Sequence, residues 1–120
     1  MIHIALHVLV PLVIALLFYR DRWRSALVIL LATMVVDVDH LLADPIYDPD
    51  RCSIGFHPLH TLPAVGVYLA MWLVPVGGRR LASSDAAAEQ SDLDRWRFIH
   101  LTGLGLVIHM ALDLSDCWMM

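Results

Sequence analysis

Four mostly apolar stretches, at about residues 2–18, 25–43, 59–76 and 98–114, fill most of this 120-residue chain. Each is about as long as the ~20 residues a helix needs to cross a hydrocarbon core ~30 Å thick. None shows strand-like alternation, and backbone in lipid must satisfy its own hydrogen bonds, so helices are the form these runs can take. Composition agrees. Hydrophobic residues make up 59% and charged residues 17%, and mean hydropathy is +0.69, against roughly 45–50% apolar and about 25% charged in ordinary soluble domains. A soluble domain this small has too little interior to hide such an excess. The expected fold is all-α: one integral membrane domain over residues 1–120, a bundle of four transmembrane helices with an inner loop at 77–97. This argues against a soluble globular enzyme, a disordered tail and a secreted disulfide scaffold. A net charge of −4 and a pI near 5.9 give no footing for nucleic acid as a partner.

Arginine sets the expected orientation, because lysine is absent. Arg20, Arg22 and Arg24 separate the first two stretches, and Arg79, Arg80, Arg95 and Arg97 separate the last two. Only Arg51 lies in the middle connection, beside Asp44, Asp48 and Asp50. Positive charge stays inside, so both termini and the 44–57 connection are expected on the extracytoplasmic side of a bacterial cytoplasmic membrane. Tyr19, Trp23 and Trp96 would mark the inner interface, and Tyr47 and Trp118 the outer one. The first stretch lacks a basic leader and a small-residue cleavage site, so it reads as a retained helix rather than a signal peptide. Pro11 and Pro63 are expected as kinks inside their helices. The inner loop, rich in Ala, Ser and acidic residues, reads as a solvated connector with a short helix starting near Ser84.

Ionisable groups inside a membrane are costly and mark function. Ten of them fall at the outer ends of the four helices: His3 and His7; Asp37, Asp39 and His40; His57 and His60; His109, Asp113 and Asp116. His3 and His7 are four apart, and His109, Asp113 and Asp116 follow at i, i+4 and i+7, so each set shares a helix face. Pro58 suits a first helical turn, leaving His57 at the cap and His60 one turn in. All four sets can point at one pocket. Imidazole with carboxylate is a ligand set for zinc, with manganese or iron as alternatives, and the number of candidates suits one or two ions. Expected metal ligands are His7, Asp37, His40, His57, His60, His109 and Asp113, with Asp39 and Asp116 as proton acceptors. His3 reads equally as a ligand or as a solvated interfacial residue, and His100 lies at the wrong end.

Arg51 either pairs with Asp48 or Asp50 at the surface or clamps a phosphate or carboxylate of a substrate. Ser53 reads as a turn residue. Cys52 and Cys117, both expected outside, suit a disulfide, free thiols or thiolate ligands.

The run TMVVDVDHLLADPIYDPDRCSIGFHPLH, from Thr33 to His60, and GLVIHMALDLSDC, from Gly105 to Cys117, carry a resemblance. The chain resembles a family of small bacterial four-helix membrane proteins of unknown function. That family is in turn similar to LexA-regulated, membrane-bound predicted metal-dependent hydrolases. The shared pattern is an early His (His7 or His3), Asp-x-Asp-His (Asp37, Asp39, His40), a loop Arg (Arg51), paired His (His57, His60) and Gly-x-x-x-His-x-x-x-Asp (Gly105, His109, Asp113). The larger relatives set their Arg beside a Thr-His-Ser run, whereas Arg51 stands six residues before His57.

Residues and resemblance together imply a membrane-bound, metal-dependent hydrolase acting on a lipid-linked or amphiphilic (phospho)ester, with membrane lipid or a lipid-linked molecule as partner and a homodimer as a further expectation. Two other classes compete. Paired histidines on facing helices also occur in haem-binding electron carriers, and membrane ligand clusters also occur in metal or proton transporters, where they sit near the midplane with repeat symmetry.

Overall fold

The computed structural model describes residues 2–78 and 86–119, with side chains described outside 75–78 and 86–89. Arg79, Arg80 and the helix start near Ser84 lie outside the described residues. Among the described residues the chain is all-helical. Four α-helices are present: α1 (Ile2–Phe18), α2 (Trp23–Ala32), α3 (Leu62–Gly78) and α4 (Ala86–Met119). Short 3-10 turns at Arg20–Arg22 and Pro58–His60 lead into α2 and precede α3, and a longer one, Thr33–Leu42, continues α2. The bundle measures 53 × 28 × 21 Å.

Several boundaries differ from expectation. α4 begins at Ala86 rather than near 98, so much of the expected loop is helix. The run Ala86-Ala87-Ala88-Glu89-Gln90 consists of strong helix formers, and that propensity outweighs its polarity. The added turns are tied down by Arg22 to Asp94 at 3.2 Å and by Arg97 to the Ser25 hydroxyl at 3.1 Å. Pro63 stands at the second position of α3, where its missing N–H costs nothing, instead of kinking the helix.

The second apolar stretch changes geometry halfway. Thr33–Leu42 is a ten-residue 3-10 helix, long for a form that rarely exceeds three or four residues. With three residues per turn, positions three apart eclipse. Its buried residues are Thr33, Val36 and Asp39, one straight line along it. Asp37 and His40 form the adjacent line. The α-helical spacing expected here would not have separated the two aspartates this way: Asp39 is buried, while Asp37 stays partly open.

Close approach of backbones holds the bundle. A Cβ on Gly105 would stand 2.7 Å from both Thr33 Cγ2 and Thr33 Oγ1, and one on Gly103 would strike the backbone of Met71 and Trp72. Two glycines of α4 thus admit α2 on one side and α3 on the other, as small residues do between membrane helices. Ala15, Ala26, Leu30 and Leu101 form one core, and Val36, Tyr68 and Met110 a second. At the arginine-bearing end, His100 donates from Nδ1 to the Trp72 carbonyl (2.8 Å) and accepts the Tyr19 hydroxyl at Nε2 (2.8 Å). This histidine is structural.

The outer surface is apolar: Val8, Val13, Leu17, Val28, Val35 and Leu73 are among many exposed large hydrophobics. The runs Arg20–Leu42 and Gln90–Met119 are long and apolar enough to cross a membrane, with mean hydropathies of 1.9 and 1.5. Ile2–Phe18 and Leu62–Val74 are apolar but shorter.

Thr33 cannot swing away from a new methyl group easily, because its hydroxyl donates to the Leu30 carbonyl at 2.6 Å. Gly105→Ala is therefore expected to destabilise the fold by about 1–3 kcal/mol. Gly66→Ala, whose Cβ would meet nothing within 4 Å, should leave stability unchanged or slightly raised. Thermal unfolding of both variants in detergent checks the contrast.

Candidate metal centre

Histidines and aspartates from four elements meet at the end of the bundle opposite Arg20, Arg22, Arg24, Arg95 and Arg97. α1 supplies His3 and His7 from its first turns. The 3-10 helix after α2 supplies Asp37, Asp39 and His40. The Pro58–His60 turn supplies His57 and His60, and α4 supplies His109, Asp113 and Asp116. Among the described residues, His7, Asp39, His57, His60, His109 and Asp113 are buried.

Local sequence explains how the loop histidines arrive. Gly55 adopts φ +83°, a left-handed conformation that L side chains resist, and its N–H donates to the His60 carbonyl at 2.9 Å. The chain reverses there, so His57 enters the Pro58–His60 turn in an extended conformation. Pro58 opens that turn. The free N–H of Leu59 is capped from another element: it donates to Asp39 Oδ2 at 2.8 Å. Tyr68 secures the turn by donating its hydroxyl to the Leu59 carbonyl at 2.9 Å. Burial, reinforced by the neighbouring His40, holds the His57 imidazole below the ordinary histidine range, which favours its neutral form. The last loop residues are fixed by a disulfide between Cys52 and Cys117, joining the 44–57 connection to the end of α4.

Three groups of side chains could each hold a metal ion: Asp37, His60, His109 and Asp113; His3, His7 and Asp113; and Asp39, His40 and His57. In the first, His60 Nε2 stands 3.5 Å from Asp37 Oδ1 and 3.2 Å from Asp113 Oδ2. His109 Nε2 stands 2.9 Å from Asp37 Oδ1 and 3.6 Å from Asp113 Oδ2. Ligands about 2.1 Å from a tetrahedral ion lie about 3.4 Å from one another, and these four separations bracket that value.

Protons point the same way. His60 Nδ1 faces Asp39 Oδ2 at 3.2 Å, and His7 Nδ1 faces the His3 carbonyl at 2.9 Å. Both acceptors require the proton on Nδ1, which in the neutral imidazole leaves each Nε2 with a lone pair. Those lone pairs confront carboxylates: His7 Nε2 is 3.3 Å from Asp113 Oδ1, and His60 Nε2 has the contacts given above. His7 Nε2, His60 Nε2 and Asp113 Oδ2 are buried without a hydrogen-bond partner, as are Asp39 Oδ1, His40 Nδ1 and His109 Nδ1. Such atoms cost about 1–3 kcal/mol each when left alone. One cation serves several of them at once, so the donor set fits a divalent metal.

All seven expected ligands fall within the three groups, though not in one. His40 and His57 join Asp39, their rings stacked 3.8 Å apart. Of the expected proton acceptors, Asp39 is buried and bonded to Leu59 and His60, whereas the Asp116 side chain is 48% exposed, 3.2 Å from His3 Nδ1. His3 belongs to a group; its i, i+4 spacing to His7 was the signal for it. Ser53, read from sequence as a turn residue, also lies 3.1 Å from His40 Nε2. Arg51 donates to the Pro45 carbonyl at 2.7 Å, lies 3.5 Å from Asp48 and covers the Phe56 ring at 4.6 Å. A cavity of about 330 Å³ opens over the centre, lined by His3, Asp37, Arg51, Ser53, Asp113 and Asp116 among others.

Partners that orient a ligating histidine are worth 10- to 100-fold in metal affinity. Asp39→Ala should therefore weaken Zn²⁺ binding by about that factor, as read by competition with a chromophoric chelator.

Comparison with curated proteins and with solved structures gave no match. A family model does match, over residues 1–83, a span that carries His3 through His60 and stops short of His109 and Asp113. The chain belongs to that family, DUF6122, a family of unknown function.

Proposed function

We propose that this protein is a metal-dependent hydrolase embedded in a bacterial cytoplasmic membrane. All four helices span it, both termini are extracytoplasmic, and the metal centre faces outward. The observation that carries the reading is the convergence of His60 Nε2, His109 Nε2, Asp37 Oδ1 and Asp113 Oδ2 from three elements beneath an open cavity. Two further features support the orientation. Arg20, Arg22, Arg24, Arg95 and Arg97 gather at the opposite end, as the positive-inside rule requires. The Cys52–Cys117 disulfide belongs to an oxidising compartment.

A divalent ion, zinc by its ligand set, held by Asp37, His60, His109 and Asp113 would supply Lewis acidity toward the scissile group and to a nearby water. The protein does the rest. Asp39 and the His3 carbonyl fix the tautomers of His60 and His7. Asp116, half-exposed on the cavity wall, is the proton acceptor within reach of water. Arg51 keeps donors of its five-donor fork for a substrate anion, since its contacts with Pro45 and Asp48 engage only part of it. The cavity mouth carries Ile46 at 59% and Tyr47 at 80% exposure, with Trp118 at 85% on the nearby helix end. Apolar and aromatic groups at headgroup level suit an amphiphilic or lipid-linked phosphoester, with Arg51 meeting the phosphate.

Purified protein screened against phosphoester, ester and amide substrates should show turnover that a chelator abolishes and Zn²⁺ or Mn²⁺ restores. Asp116→Asn should lower kcat by about 10²- to 10⁴-fold with metal content retained. Chelator-resistant turnover, or none on any substrate class, contradicts the hydrolase reading. Orientation is tested separately: on intact spheroplasts, an impermeant maleimide should label Cys52 and Cys117 only after reduction, and labelling that instead requires membrane rupture reverses the topology.

A further inference from the structure

We infer that the centre holds two divalent ions, not one, and that Asp113 bridges them. This rests on the metal-dependent reading above and adds to it the number of ions and the ligands of each. Asp113 is the residue common to two of the candidate groups, and it addresses them with different oxygens. Its Oδ2 faces His60 Nε2 at 3.2 Å and His109 Nε2 at 3.6 Å. Its Oδ1 faces His7 Nε2 at 3.3 Å and His3 Nε2 at 3.5 Å. The Asp113 side chain is only 3% exposed.

For His3, His7 and His60 the second ring nitrogen is already committed. His3 Nδ1 pairs with Asp116 Oδ2 at 3.2 Å, His7 Nδ1 donates to the His3 carbonyl, and His60 Nδ1 to Asp39. Each commitment leaves an Nε2 lone pair facing an Asp113 oxygen, the arrangement in which a ligating imidazole is held by a neighbouring carboxylate or carbonyl. The two positions differ in kind. One has four protein ligands, Asp37, His60, His109 and Asp113, the number that fills a tetrahedral shell. The other has three, His3, His7 and Asp113, beside the cavity that His3, Asp113 and Asp116 line. Four ligands mark a structural position, and three with an opening mark a reactive one. Charge agrees as well: two divalent ions balance Asp37, Asp39, Asp113 and Asp116, whereas one leaves two carboxylates uncompensated. The third group shares no residue with these two; Oδ2 of its Asp39 is taken by Leu59 and His60, and His40 Nε2 meets Ser53.

The test uses full-length protein in nanodiscs, loaded with Zn²⁺, desalted and analysed for bound metal per chain. Wild type should hold two. His7→Gln should hold one, His109→Gln one, and Asp113→Asn fewer than one. Far-ultraviolet circular dichroism and size-exclusion profiles establish that the variants are folded. Should Asp113→Asn fail to fold, Mn²⁺-loaded wild type supplies an independent readout: spin-coupled electron paramagnetic resonance at two ions per chain, against an uncoupled six-line signal. A wild-type stoichiometry of one, unchanged in His7→Gln, overturns the two-ion centre and leaves the hydrolase reading standing. No bound metal overturns both. Three ions overturns the count of two; two uncoupled ions, or one full ion retained by folded Asp113→Asn, overturns the bridge.

Discussion

Concentrating carboxylates where water is scarce is the constraint on which everything else in this molecule turns. Asp37 and Asp113 offer oxygens within 4.8 Å of each other and of two imidazole nitrogens. Two like charges that close repel by about 3 kcal/mol even at an effective dielectric of 20. Removing Asp113, only 3% exposed, from water adds an effective penalty of several kcal/mol. Apolar side chains at these positions would be cheaper to bury. A cation held between them would turn repulsion into coordination, and His7 Nε2 and His60 Nε2, whose Nδ1 partners are already fixed, are placed to join it.

The rest of the fold serves that end of the bundle. Gly105 lets α4 approach Thr33, the point where the second stretch changes from α to 3-10 geometry. The tighter winding then turns Asp39 inward to cap Leu59 and brace His60, while Asp37 faces the cavity. Pro58 and Gly55 shape the turn that presents His57 and His60. At the far end, Tyr19, His100 and the Trp72 carbonyl form a polar chain in which both ring nitrogens of the histidine are engaged. At the other end, His7 Nε2 and His60 Nε2 are buried without a hydrogen-bond partner.

Much of this was legible in the chain. Apolar runs give helices wherever the backbone must satisfy itself, and the i, i+4 and i+7 spacing of His109, Asp113 and Asp116 survives intact because α4 is an uninterrupted α-helix. The pairing of Cys52 with Cys117 was one of three open readings, and the structure joins them. The differences come from local winding and long-range contacts. A 3.6-residue period would set Asp37 near the face of Thr33 and turn Asp39 about 120° away, whereas the 3-10 period puts Asp39 in line with Thr33 and Val36. The role of Asp39 as a cap depends on a partner twenty residues away. The early start of α4 follows from alanine and glutamate propensity, which a reading based on hydropathy passes over.

The claim at the centre of this account is that imidazole and carboxylate side chains from separate helices ligate one metal centre. X-ray absorption at the zinc edge of the purified, zinc-loaded protein addresses it directly. The account predicts a nitrogen and oxygen shell at about 2.0–2.1 Å with the outer-shell scattering of at least two imidazoles, lost in the His60→Ala, His109→Ala double variant. A spectrum without imidazole scattering, or one unchanged by that double substitution, would contradict it.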